Sequence, residues 1–395
     1  MAVINRIAEF HADMTAWRQD LHAHPELGLQ ESRTSAQVQA LLKSFGVDEV
    51  IVDIAKTGVV GVIRGGQPVG QGDRAIGLRA DMDALPIHEE TGLPYASRHP
   101  GVMHACGHDG HTAMLLGAAK YLAETRNFDG TVYVIFQPAE ENFGGGQIMV
   151  QEGLFERFPM EQVYGLHNWP MAPEGTFLWR VGPVMAAVAQ IEITITGKGA
   201  HGAHPEHGTD PIVIASQIVS ALQTVVSRTI DATESGVVTI GHINGGHTHN
   251  VIPETVHMKG TARWFAPHIG DRLEAGVRRL ASGIAESFGA QAEVKFDRVY
   301  PATVNDEAAT ELACAAARSV VGEQRVNHMT RPTMGGEDFS FMLNAKQGAY
   351  LMLGGGRGKD DFMVHHPRYD FNDAILPIGA SYWATLAEQL LPRKA

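Results

Sequence analysis

Cysteine is nearly absent: the 395 residues contain two, Cys106 and Cys314. Two thiols cannot build the disulfide framework that holds small secreted domains together. Cys314 lies in the alanine-rich run Glu311-Leu-Ala-Cys-Ala-Ala-Ala-Arg318, which reads as a buried helix face. Basic charge is also short. Lys and Arg number 31 against 44 Asp and Glu, a formal net charge of −13, and no basic run is long enough to follow a phosphate backbone. Nucleic acid is therefore not an expected partner. Long apolar runs are missing too, since none reaches the ~18 uninterrupted residues of a membrane span. The segment Met1-Ala-Val-Ile-Asn-Arg-Ile-Ala-Glu-Phe10 lacks the apolar core and small-residue cleavage site of a signal peptide. A cytoplasmic protein with no membrane partner is expected.

What is present is enough apolar residue, 44%, to build a full core over a length that exceeds one ordinary domain. Helical periodicity marks Ile4–Leu21, Thr34–Phe45, His111–Glu124, Asp306–Val321 and Ala374–Leu391. Short apolar runs bounded by polar or glycine residues mark strands at Ala75–Leu78, Thr131–Phe136, Val163–His167 and Ala349–Leu353. Strands alternating with helices predict an α/β layer fold, with polar site residues in the loops that follow the strands. Between about Ala189 and Arg298 the pattern becomes self-contained: strand, helix, two strands, helix, strand. That order predicts a ferredoxin-like α+β insert. The chain then divides into 1–188, 189–298 and 299–395, the first and last forming one domain.

Four segments concentrate the unusual polar residues: His104-Ala-Cys-Gly-His-Asp-Gly-His111, Gln137-Pro-Ala-Glu-Glu-Asn142, Gly165-Leu-His-Asn-Trp-Pro170 and His365-His-Pro367. A thiol, several imidazoles and paired carboxylates suit zinc, manganese, cobalt or nickel rather than calcium. Two adjacent carboxylates such as Glu140 and Glu141 need a cation or a proton to coexist in a confined site; with a cation one can be a ligand and the other a general base. The bland reading is a solvated acid pair on a loop. Cys106 and His108, spaced Cys-x-His, fit ligation and equally fit a buried cysteine beside a helix-capping histidine.

The whole set resembles one family. Met103-His-Ala-Cys-Gly-His-Asp-Gly-His111, Pro138-Ala-Glu-Glu141, Gly165-Leu-His-Asn168 and Met334-Gly-Gly-Glu-Asp-Phe-Ser340 look like the motifs of the aminoacylase/carboxypeptidase metallopeptidase superfamily. Leu21-His-Ala-His-Pro-Glu26, Arg79-Ala-Asp-Met-Asp-Ala-Leu-Pro86 and Tyr369-Asp-Phe-Asn-Asp373 are similar to its branch of hippurate hydrolases, N-acetyldiaminopimelate deacetylases and indole-acetyl-amino-acid hydrolases. The resemblance runs from about Trp17 to Asp373 and implies a mixed-sheet, zinc-peptidase-like catalytic domain with an inserted lid and dimerisation domain.

It further implies two divalent metal ions per subunit, zinc or manganese foremost and cobalt or nickel compatible. Cys106 would bridge them, with His108, Glu141, His167 and His365 as the other ligands and Glu140 as general base. At Arg79-Ala-Asp81 many other branches carry His-x-Asp, so that histidine ligand is absent here and Asp81 is expected to orient a ligand histidine. The family pattern favours His365 over the adjacent His366. In the insert, His201 matches a residue that reaches the partner subunit's site and stabilises an oxyanion, with His204 as its competitor, while Asn250 and Arg263 match residues that bind the substrate carboxylate. The implied activity is hydrolysis of the amide of a small-molecule N-acyl amino acid by a homodimer or higher oligomer. A dipeptidase or carboxypeptidase with the same dinuclear site and a non-catalytic binding relative are the alternatives. One departure stands out: position 336 is glycine where many relatives have serine.

Overall fold

The computed structural model describes residues 2–66, 74–359 and 361–393. They form two compact units, one of Met1–Val184, Thr303–Pro332 and Glu337–Ala395, the other of Met185–Ala302 and Thr333–Gly336. Each unit has its own cluster of buried apolar side chains.

The larger unit is built on a mixed eight-stranded sheet. Its strands run in the order Glu49–Ile54, Gly58–Arg64, Thr131–Gln137, Ala75–Asp81, Gln162–Pro173, Gln347–Gly356, Phe177–Trp179, Val326–His328. The four central strands, from Thr131–Gln137 to Gln347–Gly356, are mutually parallel. Ala75–Asp81 is buried at every position, which is what a parallel strand covered on both faces requires. Helix His108–Thr125 is apolar nearly all round and correspondingly buried, and packs beside Leu376–Leu390. Because the central strands share a direction, Asp81, Glu140 and His167 come off the same edge of the sheet. In register, Asp81 lies opposite Gln137, and His167 opposite Met352.

The expected helix over Ile4–Leu21 is two helices, Asn5–Glu9 and His11–Ala23, broken at Phe10. The buried stripe Ile7, Phe10, Met14 continues across the break, so apolar spacing alone does not reveal it. The hairpin Glu49–Arg64 adds two strands at the sheet edge; it lacks alternation because Gly58–Ile63 is buried throughout.

The smaller unit is a four-stranded antiparallel sheet in the order Gly236–Gly245, Thr255–Trp264, Ala187–Thr196, Gln291–Tyr300. Helices Pro211–Thr229 and Pro267–Ser287 complete the ferredoxin-like βαββαβ arrangement. Alternation in the first strand turns Ile191, Ile193 and Ile195 inward and Glu192 outward, where it pairs with Lys259 at 3.1 Å. Helix Pro211–Thr229 starts on Asp210, whose side chain accepts from the Ile212 amide. It is long and apolar enough by composition to cross a bilayer, yet Ile214, Ile218, Leu222 and Val225 are buried within the unit. The unit extends beyond the expected 189–298 and takes in Thr333–Gly336, tied by the Met185–Thr333 bridge and the Ala186 amide on the Gly335 carbonyl at 2.9 Å.

Candidate active site

Cys106 sits in the loop immediately before helix His108–Thr125. The loop closes through Gly107, at φ +96°, where a Cβ would stand 2.3 Å from Asn168 Nδ2 and 2.7 Å from the Tyr369 hydroxyl. Only glycine fits both the backbone and the space.

Around the thiol gather the other expected ligands. Donor atoms of Cys106, His108 and His167 lie within 4.8 Å of one another, as do those of Cys106, Glu141 and His365, and those of His108, Glu140 and Glu141. Cys106 Sγ is 3.4 Å from His167 Nε2, and His365 Nε2 is 3.2 Å from Glu141 Oε1. His365 occupies a left-handed backbone conformation, φ +69°, and its amide donates to the Ala105 carbonyl at 2.7 Å. Strain of this kind persists where the surroundings hold it and is common at functional sites. His366 turns elsewhere, stacking on Phe362 and accepting from the Arg368 amide.

The tautomers follow from what each ring nitrogen faces. His108 Nδ1 donates to the Asp83 carbonyl at 2.9 Å and lies 3.2 Å from Asp83 Oδ1, which leaves Nε2 buried with no hydrogen-bond partner. His167 Nδ1 donates to the Asn168 carbonyl at 2.6 Å, so its Nε2 lone pair faces the thiol. His111 is different: Nδ1 is 2.6 Å from Asp81 Oδ1 and Nε2 accepts from the Asn168 amide at 2.9 Å, so both nitrogens are engaged. The orienting contact expected between Asp81 and a ligand histidine goes to His111 instead, and Asp83 holds His108. Asp81 cannot reach His108 Nδ1, because its Oδ2 approaches the opposite nitrogen at 3.8 Å and is taken by Arg79 at 2.7 Å.

Charge balance points the same way. Asp81, Asp83, Glu140, Glu337 and Asp338 are buried and Glu141 nearly so, with Arg79 the buried guanidinium among them. Arg79 donates to Asp81, Glu337 and Asp338 at 2.7, 2.9 and 3.1 Å. Burial, followed by Glu337, Glu141 and Asp338, pushes the Glu140 carboxyl well above its usual range. Burial and the carboxylates of Glu141, Glu140 and Asp81 push the Cys106 thiol well up. For His108 burial opposes the cation, but Asp81 and Asp83 outweigh it and raise the ring to about 10. Burial, then His111, holds His167 well below its normal value, leaving it neutral with its lone pair available. A pocket this rich in negative charge, with the buried His108 Nε2 and Glu141 Oε1 lacking hydrogen-bond partners, fits divalent cations held by nitrogen, oxygen and sulfur.

Glu140 extends from the same turn as Glu141, behind Ala139 at φ +55°. The Ala139 amide donates to Glu31 at 2.9 Å, and Glu31 also accepts from the Thr57 hydroxyl. Glu140 lies between two groups, with its carboxylate within 4.8 Å of the donors of His108 and Glu141 and also of Glu337 and Asp338.

The remaining expected residues belong to the smaller unit. His201 is exposed on Ala200–His201, paired with Val251–Ile252, and accepts from the Ala203 amide at 3.0 Å. Asn250 immediately precedes the pairing strand, and its carbonyl accepts from the Gly202 amide. Arg263, on Thr255–Trp264, is half-buried; among the described residues no carboxylate pairs with it, and burial lowers its pKa. Gly336 lies in this unit too: a Cβ there would stand 2.4 Å from Val188 Cγ2. Val188 thus fills the space that a side chain at position 336 would take. Asp83, His111, Asn168 and the tie from Arg79 to Glu337 and Asp338 lie within the same motifs, but nothing in the spacing distinguishes them from the expected ligands.

A mixed α/β unit with a thiol, imidazoles and carboxylates beside a buried acid is the arrangement of a metal-binding hydrolase. The chain belongs to the peptidase family M20/M25/M40, whose family model matches residues 77–389. It is 41% identical over 391 residues to the hippurate hydrolase of Campylobacter jejuni, covering 99% of this chain and 100% of that protein. It is 39% identical over 381 residues to the N-acetylcysteine deacetylase of Bacillus subtilis, covering 96% and 97% of the two chains. Among solved structures, the YXEP protein of Bacillus subtilis, a dinuclear metal-binding peptidase of the M20 family, superposes with a TM-score of 0.81 at 35% identity over 97% of this chain and 99% of that one.

Proposed function

We propose that this hydrolase cleaves the amide bond of N-acyl amino acids, releasing a carboxylic acid and a free amino acid. The observation that carries the reading is Glu140, a buried carboxyl within 4.8 Å of the donor atoms of His108 and Glu141. The relatives support the substrate class, since a hippurate hydrolase and an N-acetylcysteine deacetylase both act on acylated amino acids.

In this reading Cys106, His108, Glu141, His167 and His365 would hold two divalent ions, zinc or manganese foremost. When bound, such ions polarise the acyl carbonyl and stabilise the charge that develops on its oxygen. Glu140 accepts a proton from the attacking water as the carbon–oxygen bond forms, then delivers it to the departing amine nitrogen as the carbon–nitrogen bond breaks. His201, supplied by a second subunit of a homodimer, donates to the developing oxyanion. Arg263 and Asn250 hold the amino-acid carboxylate, for which a half-buried guanidinium without a carboxylate partner is well suited.

The test is release of free amino acid from a panel of acetyl-, benzoyl- and indoleacetyl-amino acids and dipeptides, on protein reconstituted with each metal in turn. Acyl-amino acids are expected to exceed dipeptides in kcat/KM. The reverse order would assign a dipeptidase, and no hydrolysis with any metal would leave a binding protein. Mixing Glu140→Gln and His201→Ala subunits is expected to regenerate activity through heterodimers; absence of complementation after subunit exchange would place His201 within its own chain's site.

A further inference from the structure

Asn168 and His111 are two buried polar residues beside the donor cluster that the proposed reaction leaves without a role. Asn168 follows His167 on strand Gln162–Pro173 and is 2% exposed. Each of its polar groups is engaged. The main-chain carbonyl accepts from His167 Nδ1 at 2.6 Å and the main-chain amide donates to His111 Nε2 at 2.9 Å. Side-chain Nδ2 donates to the Cys106 carbonyl at 2.7 Å, and Oδ1 accepts from the Tyr369 hydroxyl at 2.7 Å. His111 passes the connection on, since its other nitrogen meets Asp81, itself held by Arg79.

These donors and acceptors admit one consistent polarity. The Cys106 carbonyl can only accept, so Nδ2 must face it and Oδ1 must face Tyr369. His111 must then carry its proton on Nδ1, towards Asp81, and offer a lone pair to the Asn168 amide. The arrangement ties the Cys106 loop, the His167 ring, the start of helix His108–Thr125 and the segment bearing Tyr369 to the end of strand Ala75–Asp81.

We propose that Asn168, oriented by His111 and Tyr369, is a positioning residue that sets the direction of the Cys106 sulfur and the His167 ring towards a bound metal. The inference rests on the proposed ligation by Cys106 and His167. It makes His111 a brace rather than a ligand, although its donor atom lies within 4.8 Å of those of Asp81 and His108. Polarity is what distinguishes the substitutions. Asn168→Asp keeps the shape but sets a carboxylate oxygen against the Cys106 carbonyl. Asn168→Ala removes the side-chain contacts to the Cys106 carbonyl, the Tyr369 hydroxyl and His111 Nε2, and Tyr369→Phe removes one buried hydroxyl with little change of shape.

The experiment is cobalt(II) reconstitution of the full-length protein, reading the near-ultraviolet thiolate-to-cobalt charge-transfer band and the cobalt affinity, with thermal unfolding alongside. Wild type is expected to show the band and Cys106→Ser to lose it. The Asn168 variants are expected to shift or weaken the band and lower affinity by about 10–100-fold, with Tyr369→Phe between them and wild type. A merely structural role would lower the melting temperature and leave the band of the folded fraction in place. If wild type shows the band and all three variants keep its position, intensity and affinity, the positioning role is overturned. If wild type has no band, or Cys106→Ser retains it, ligation by Cys106 fails, and this inference fails with it for that separate reason.

Discussion

Asp83→Ala tests how the donor cluster is held together. Asp83 Oδ1 lies 3.2 Å from His108 Nδ1, and Oδ2 accepts from the Glu141 amide at 3.0 Å. One carboxylate therefore restrains two proposed ligands that are distant in sequence. Charge-assisted hydrogen bonds of this kind contribute about 1.5–3 kcal/mol each. Loss of a partner behind a metal ligand costs roughly 10–100-fold in affinity, or about 1.4–2.7 kcal/mol. The Asp83 main-chain carbonyl still accepts from His108 Nδ1 at 2.9 Å after the substitution, so His108 keeps one restraint while Glu141 loses its own. The lower half of that range is therefore expected. A second consequence has the opposite sign, because removing one carboxylate from an anionic pocket relieves repulsion when no cation is bound. The melting temperature of the metal-free variant should thus fall less than that of the metal-loaded variant. Zinc titration against a chromophoric chelator, with thermal unfolding of both forms, measures the two effects. Affinity within twofold of wild type, or equal loss of stability with and without metal, would refute the reasoning.

Two further outcomes follow from residues away from the ligands. His22 is buried between Asp109 at 2.8 Å and Glu89 at 3.3 Å; burial opposes its charge, but these carboxylates raise it from 6.5 to about 9. A folded-state pKa above the unfolded value gives stability that is complete below pH 6.5 and lost as pH rises through 9, here roughly 3 kcal/mol. The difference in unfolding free energy between pH 6 and pH 9.5 should therefore shrink by about that amount in His22→Gln, as read from denaturant midpoints; an unchanged difference would remove His22 as the cause. Gly336→Ser should destabilise by about 1–3 kcal/mol through overpacking against Val188, and Val188→Ala should restore most of the loss in a double-mutant cycle. Additive effects in that cycle would show that the two side chains do not compete for space.

The side-chain types that gather at the candidate site were legible in the sequence and their orientation was not. Cys106, His108, Glu141, His167 and His365 stand out as thiol, imidazole and carboxylate groups following strands, and a parallel sheet brings strand ends to one edge. Which ring nitrogen is open depends on contacts across dozens of residues, such as His108 with Asp83 and His111 with Asn168. Spacing within one motif carries no information about the other. Asp81 and Asp83 illustrate the limit: they are chemically identical and two residues apart, and only the register of strand Ala75–Asp81 against helix His108–Thr125 decides which histidine each meets. The insert was legible because alternating and 3.6-residue periods succeed one another cleanly. The attachment of Thr333–Gly336 to it rests on one bridge and one main-chain hydrogen bond, which no periodicity records.

The most direct measurement of the central claim compares wild type and Glu140→Gln, each stripped with chelator, reloaded with metal and analysed for metal content before hydrolysis of an N-acyl amino acid is followed. Wild type should be inactive when stripped and restored on reloading, while Glu140→Gln should bind the same amount of metal and lose about 100–10,000-fold in kcat. Turnover near wild type by the loaded variant, or full activity of the stripped enzyme, would contradict the account.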